Sequence, residues 1–73
     1  MQLRVGEPKL VVRLKEVRTA AGLTQQELAD RARVSRKTVN TIENRIFTPS
    51  VVVALTLAKA LGVPLDVLFE LTD

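Results

Sequence analysis

Residues 23–44, Leu23-Thr24-Gln25-Gln26-Glu27-Leu28-Ala29-Asp30-Arg31-Ala32-Arg33-Val34-Ser35-Arg36-Lys37-Thr38-Val39-Asn40-Thr41-Ile42-Glu43-Asn44, hold two helix starts in quick succession. Thr24 precedes Glu27 by three residues, so its hydroxyl can accept the Glu27 amide while the Glu27 carboxylate reaches back to the Thr24 amide. Leu23 and Leu28 supply the apolar staple around this capping box. A helix therefore begins at Gln25 and runs through Leu28, Ala29 and Ala32. It must stop near Arg33, because Ser35 is a second N-cap, stapled by Val34 and Val39. The next helix is expected over Arg36 to Asn44, after a turn of about three residues. At about 100° per residue, Arg36, Lys37, Asn40, Thr41 and Asn44 fall on one arc of that helix, with Val39 and Ile42 opposite. A guanidinium, an ammonium, two carboxamides and a hydroxyl are the groups that read base edges in a duplex groove. On an isolated helix such an arc is ordinarily a solvated face. Here it follows a helix and a tight turn, and its one acidic neighbour, Glu43, lies outside it.

Working outward, 73 residues make one small domain. Eleven Lys and Arg against eight Asp and Glu give a net charge of +3, with a pI near 10.0, a modest bias toward a polyanionic partner. The charge is uneven: residues 1–48 sum to +5 and residues 49–73 to −2. Cys and His are both absent, which removes disulfides, thiolate zinc sites, thiol nucleophiles and imidazole catalysis. No metal or cofactor is expected. Hydrophobic residues make up 47%, too many for intrinsic disorder. The two aromatics, Phe47 and Phe69, leave the core to Leu, Val, Ile and Ala. A domain of this size seldom draws more than about 3–5 kcal/mol from one core, and of the usual supplements only self-association remains open to it. The longest apolar run, Val51 to Leu55, is far too short to span a bilayer, and Met1 to Pro8 lacks the apolar stretch of a signal peptide. A soluble, cytoplasmic protein is expected.

Glycines and prolines divide the rest. Leu10, Leu14, Val17 and Ala21 repeat at helical spacing, predicting a first helix that stops at Gly22. A fourth helix is expected from Val51 to Leu61 behind a Ser50 cap, burying Val51, Ala54, Leu55, Ala58 and Leu61. A fifth is expected from Leu65 to Leu71. The chain thus reads as an all-α fold of five short helices, with a tail over residues 1–8, a domain over 9–71 and an end at 72–73.

From Thr24 onward the order of motifs resembles the Cro/repressor-type (XRE) helix-turn-helix family. The resemblance rests on Leu23-Thr24-Gln25-Gln26-Glu27-Leu28-Ala29, Val34-Ser35-Arg36-Lys37-Thr38-Val39, Ile42-Glu43-Asn44, Pro49-Ser50-Val51 and the run from Ala58 to Phe69. It covers roughly residues 10 to 69 and is most similar to stand-alone regulators that consist of little else. It implies a five-helix, lambda-repressor-like DNA-binding domain whose third helix is the recognition helix, placing base readout on Arg36, Lys37, Asn40 and Thr41. It also implies phosphate contacts from Gln25, Ser35, Asn44, Arg45 and Thr48, which position a protein without specifying sequence. Glu43 would pair internally with Arg18 as a structural ion pair. Dimers of the family use the loop before the last helix, which maps to Val63, Pro64 and Leu65, with Phe69, Leu71 and Phe47 nearby. For Phe69 and Phe47 a plain core role is an at least equal alternative.

Two features depart from that pattern. Arg33 stands where the family commonly has Gly in a left-handed conformation, at a cost of about 1–2 kcal/mol for an L-residue unless the turn adjusts. The pair Val52 and Val53 puts one valine outside the core stripe, either as a harmless surface residue or as part of a subunit contact. In the tail, Arg4 could reach DNA and Gln2 to Val5 could pair as a strand. The expected partners are double-stranded DNA and a second copy of the chain, and the expected function is a sequence-specific regulator, a repressor, on a pseudo-palindromic operator. An alternative is the antitoxin of a toxin–antitoxin pair, binding a toxin protein as well as its promoter. Enzyme function would have to rest on Asp66 and Glu70 or on Ser35 and Ser50, which read more simply as a solvated face and as helix caps.

Overall fold

The computed structural model describes residues 9–72, so the expectations for the tail, Arg4 included, lie outside the described residues. The chain runs β1 (Lys9–Val12), α1 (Leu14–Ala20), α2 (Gln25–Ala32), α3 (Arg36–Glu43), α4 (Val51–Leu61), α5 (Leu65–Leu68) and β2 (Phe69–Thr72). Five helices are present, but the fold is not purely α: β1 and β2 pair antiparallel, with Lys9 opposite Thr72, Leu10 opposite Leu71, Val11 opposite Glu70 and Val12 opposite Phe69.

This sheet corrects two expected helix boundaries. The first helix does not begin at Leu10, because Leu10-Val11-Val12 is extended and the Arg13 amide donates to the Leu68 carbonyl at 2.8 Å. Consecutive β-branched valines favour a pleated strand once a partner strand is available. The last helix ends at Leu68 rather than Leu71, since Phe69 turns to φ −134°, ψ 133° and supplies that partner.

Local caps hold the helices where the sequence marks them. The Thr24 hydroxyl accepts the Glu27 amide at 3.0 Å and the Glu27 carboxylate accepts the Thr24 amide at 2.9 Å. The Ser35 and Ser50 hydroxyls accept the amides of Thr38 (3.0 Å) and Val53 (3.1 Å). Arg33 closes α2 in the left-handed region at φ 57°, ψ 43°, with the Val34 amide donating to the Ala29 carbonyl. The turn therefore keeps the geometry that a glycine would adopt without strain.

The core is a single aliphatic cluster formed by Val12, Leu14, Leu28, Ala29, Ala32, Val39, Ile42, Leu57, Ala58 and Leu68. Residues from β1 and all five helices meet there. On α4 the expected stripe is out of phase. Ala54, Leu57 and Ala58 are buried, Leu61 is half-buried, and Val51 and Leu55 face outward. Val, Leu and Ala occur around most of this helix, so apolar spacing alone does not select one side. Val52 is exposed and Val53 packs against the core.

Candidate nucleic-acid interface

The α2–turn–α3 unit carries the candidate site. Val39 and Ile42 anchor α3 in the core. Their burial turns the opposite arc outward, leaving Arg36, Lys37 and Asn40 exposed and Thr41 half-buried. The Thr41 hydroxyl donates back to the carbonyls of Lys37 (2.9 Å) and Thr38 (3.1 Å), which leaves the methyl as the group it can offer a base. The Ser35 hydroxyl is committed to its cap and lies 2.8 Å from the Thr38 hydroxyl.

Beneath this arc is a charge network. Arg18 Nε donates to Glu43 Oε2 at 2.6 Å, Nη2 donates to Glu43 Oε1 at 3.0 Å, and Nη1 donates to the Leu23 carbonyl at 2.8 Å. Both side chains are nearly enclosed, at 10% and 2% exposure. The hydrogen bond to Glu43 raises the Arg18 pKa above its ordinary value, with burial opposing and the Glu43 charge assisting. Glu43 is thereby withdrawn from the face that a polyanion would approach.

The network reaches the surface through Gln25. Its Nε2 donates to Glu43 Oε1 at 3.0 Å, and its Oε1 accepts from Asn40 Nδ2 at 3.4 Å. The first residue of α2 and an outward residue of α3 are thus tied to the same buried carboxylate. Sequence reasoning missed this link, because no helical periodicity connects position 25 with positions 40 and 43. Two shallow polar grooves flank it, one lined by Arg18, Thr24, Gln25, Gln26 and Arg36, the other by Arg36, Lys37 and Asn40. They share Arg36 and form one surface.

The remaining expected contacts are more scattered. Asn44 Nδ2 donates to the Asn40 carbonyl at 2.9 Å, capping α3, and Arg45 is exposed in a left-handed turn at φ 60°. Thr48 is not brought to the polar grooves. It lines an apolar hollow with Leu10, Pro49, Val51, Ala54, Leu65 and Phe69. Of the residues expected at a dimer contact, Leu65 and Phe69 meet at this hollow, Pro64 is exposed, and Val63 packs against the core. Among the described residues no helix is long and apolar enough to cross a membrane.

Comparison with known proteins agrees with this geometry. A family model described as helix-turn-helix matches residues 14–68. An uncharacterized HTH-type transcriptional regulator of Methanothermobacter thermautotrophicus is 43% identical over 49 residues, covering 67% of this chain and 71% of the relative. Another, MJ0272 of Methanocaldococcus jannaschii, is 38% identical over 61 residues, covering 84% of this chain and 92% of its own length. The crystal structure of the restriction-modification controller protein C.AhdI from Aeromonas hydrophila superposes with a TM-score of 0.71 at 40% identity, over 73% of this chain and 80% of that one. The matched span takes in the buried ion pair, the capped turn and α3, and the chain belongs to the Cro/repressor-type (XRE) helix-turn-helix family of transcriptional regulators.

Proposed function

We propose that this regulator acts as a repressor, binding a pseudo-palindromic operator as a homodimer with α3 of each subunit in the major groove. Arg36 and Lys37 suit guanine O6 and N7, Asn40 suits adenine N6 and N7, and the Thr41 methyl suits the methyl of thymine. Gln25, Ser35, Asn44 and Arg45 would position the protein on phosphates, Gln25 doing so at the N-terminus of α2 where the helix dipole favours an anion, while Thr48, which lines the apolar hollow instead, drops out of that set. The observation that carries the reading is the outward arc of α3. It is free of carboxylates, while the neighbouring Glu43 is turned inward to Arg18.

The protein would act by binding alone. The serines on which catalysis would rest cap helices instead, and Glu70 forms an ion pair with Arg13.

Selection of bound duplexes from a random pool tests the reading, because two half-sites should emerge about 10 to 10.5 bp apart, centre to centre. Arg36→Ala should then cost about 1–3 kcal/mol and relax the preference at one base pair, while Gln25→Ala should weaken all duplexes alike. A pool that yields no consensus, or substitutions that weaken random and selected duplexes equally, would refute base reading by α3.

A further inference from the structure

We propose that Ile46, in the loop after α3, is a specificity-determining residue that reads the C5-methyl group of a thymine together with the methyl of Thr41. This role rests on α3 entering the major groove, and it carries base recognition past the end of that helix.

Four of the helices end in the same way. Gly22, Arg33, Arg45 and Gly62 close α1, α2, α3 and α4 in the left-handed region, at φ 76°, 57°, 60° and 68°. The amide of the next residue then donates to a carbonyl further back in the helix: Leu23 to Arg18 at 3.1 Å, Val34 to Ala29 at 3.0 Å, Ile46 to Thr41 at 2.9 Å and Val63 to Ala58 at 3.1 Å. This closure favours a contact between the apolar side chain after the left-handed residue and the residue whose carbonyl it uses. Arg18, Ala29 and Ala58 are buried, and Leu23, Val34 and Val63 are correspondingly drawn inward to half-burial. On α3 the corresponding residue is Thr41, on the outward arc, and Ile46 is left 76% exposed.

Ile46 is therefore displayed beside the polar arc instead of being stapled to the core. The loop is fastened there, because the Arg45 amide donates to the Ile42 carbonyl at 3.0 Å and the Phe47 amide joins that of Ile46 on the Thr41 carbonyl at 3.2 Å. The Thr41 hydroxyl is turned back to the carbonyls of Lys37 and Thr38. Its methyl and the Ile46 side chain thus give an apolar end to an arc whose other members carry hydrogen-bonding groups. Neither residue lines the apolar hollow beside α4, so this end is no part of that surface. Among the base edges of the major groove, the apolar group on offer is the C5-methyl of thymine. An exposed isoleucine gains by burial against that methyl, whereas a polar base edge held against it would lose hydrogen bonds to water.

The duplex selected from a random pool supplies the probe. Replacing each of its thymines in turn by deoxyuridine removes one methyl and keeps the base pair, and fluorescence anisotropy reads the affinity. The wild type should bind about four-fold more weakly when the thymine facing Ile46 is replaced in one half-site, the worth of one buried methyl group. Ile46→Ala should bind the thymine duplex more weakly and bring the thymine-to-uracil ratio at that base pair toward one, leaving the ratios at other thymines unchanged. Ile46→Val should keep the preference. If Ile46→Ala loses its helical circular dichroism, Ile46→Gln, which keeps the stem and removes the apolar end, supplies the comparison and should lose the preference likewise. A selected duplex whose thymines all tolerate uracil, a ratio that survives Ile46→Ala undiminished, or a loss in Ile46→Ala that is equal on thymine and uracil duplexes would overturn the role of Ile46 and leave the DNA reading standing. A pool that yields no consensus would overturn the operator reading and this role with it.

Discussion

Glu43 serves two purposes with one carboxylate. Both its oxygens accept from Arg18, and Oε1 also accepts from Gln25, so the group that neutralises a nearly enclosed guanidinium also orients a side chain at the surface proposed to meet DNA. Removing either partner strands the other charge. Glu43→Ala and Arg18→Ala should therefore each lower the unfolding free energy by about 3–5 kcal/mol, whereas Arg18→Met together with Glu43→Leu should cost less than either truncation alone. Urea denaturation of the three variants measures this. In a domain with so small a core, the single truncations are expected to leave a substantial unfolded fraction at 25 °C. The ion pair was legible only through the family resemblance, because residues on α1 and α3 that meet in space obey no spacing rule along the chain. The hydrogen bonds from Gln25 to Glu43 and from Asn40 to Gln25 were not legible at all. They depend on how the start of α2 settles against the end of α3.

Among the elements, α2 and α3 were readable to within a residue because their caps are decided locally, by groups three positions apart. Thr24→Ala should cost about 1 kcal/mol of stability. The same box makes part of the stability depend on pH. The hydrogen bond from the Thr24 backbone amide, with the nearby Thr24 hydroxyl assisting, holds the Glu27 pKa below the ordinary carboxylate value. A group whose pKa is lower in the folded state contributes fully above its unfolded value, and the contribution is lost as pH falls through the lower, folded value. Thermal melts of the wild type and Glu27→Ala should therefore differ most near neutral pH and less in acid, below the ordinary glutamate range. The two strands and the phase of α4 were not legible for the opposite reason. Leu10-Val11-Val12 has apolar residues compatible with the start of a helix or with a strand, and only the arrival of Phe69–Thr72 from the far end of the chain decides between them. On α4, apolar residues on the outer face imitate a core stripe. The two faces differ in what they meet after folding, not in composition.

Across the whole molecule, positive charge gathers before Pro49 and a small negative excess follows it. Binding to a duplex should then release counterions, so that log K falls linearly with log salt, and Arg45→Ala should reduce the magnitude of the slope by about 1 if Arg45 meets a phosphate. Fluorescence anisotropy across a salt series measures the slope, and an unchanged slope would remove Arg45 from the contact set. The sheet has a further consequence at this scale. Because Lys9 lies directly across from Thr72, the described polypeptide is almost a ring whose two ends are separated by the width of one strand pair. Joining those ends with a short glycine-containing link and opening the backbone between Thr48 and Pro49 should give a circular permutant of residues 9–72 with the same helical circular dichroism and a cooperative urea transition. Deleting Phe69–Thr72 alone should leave Lys9–Val12 without a mate and lose that cooperativity.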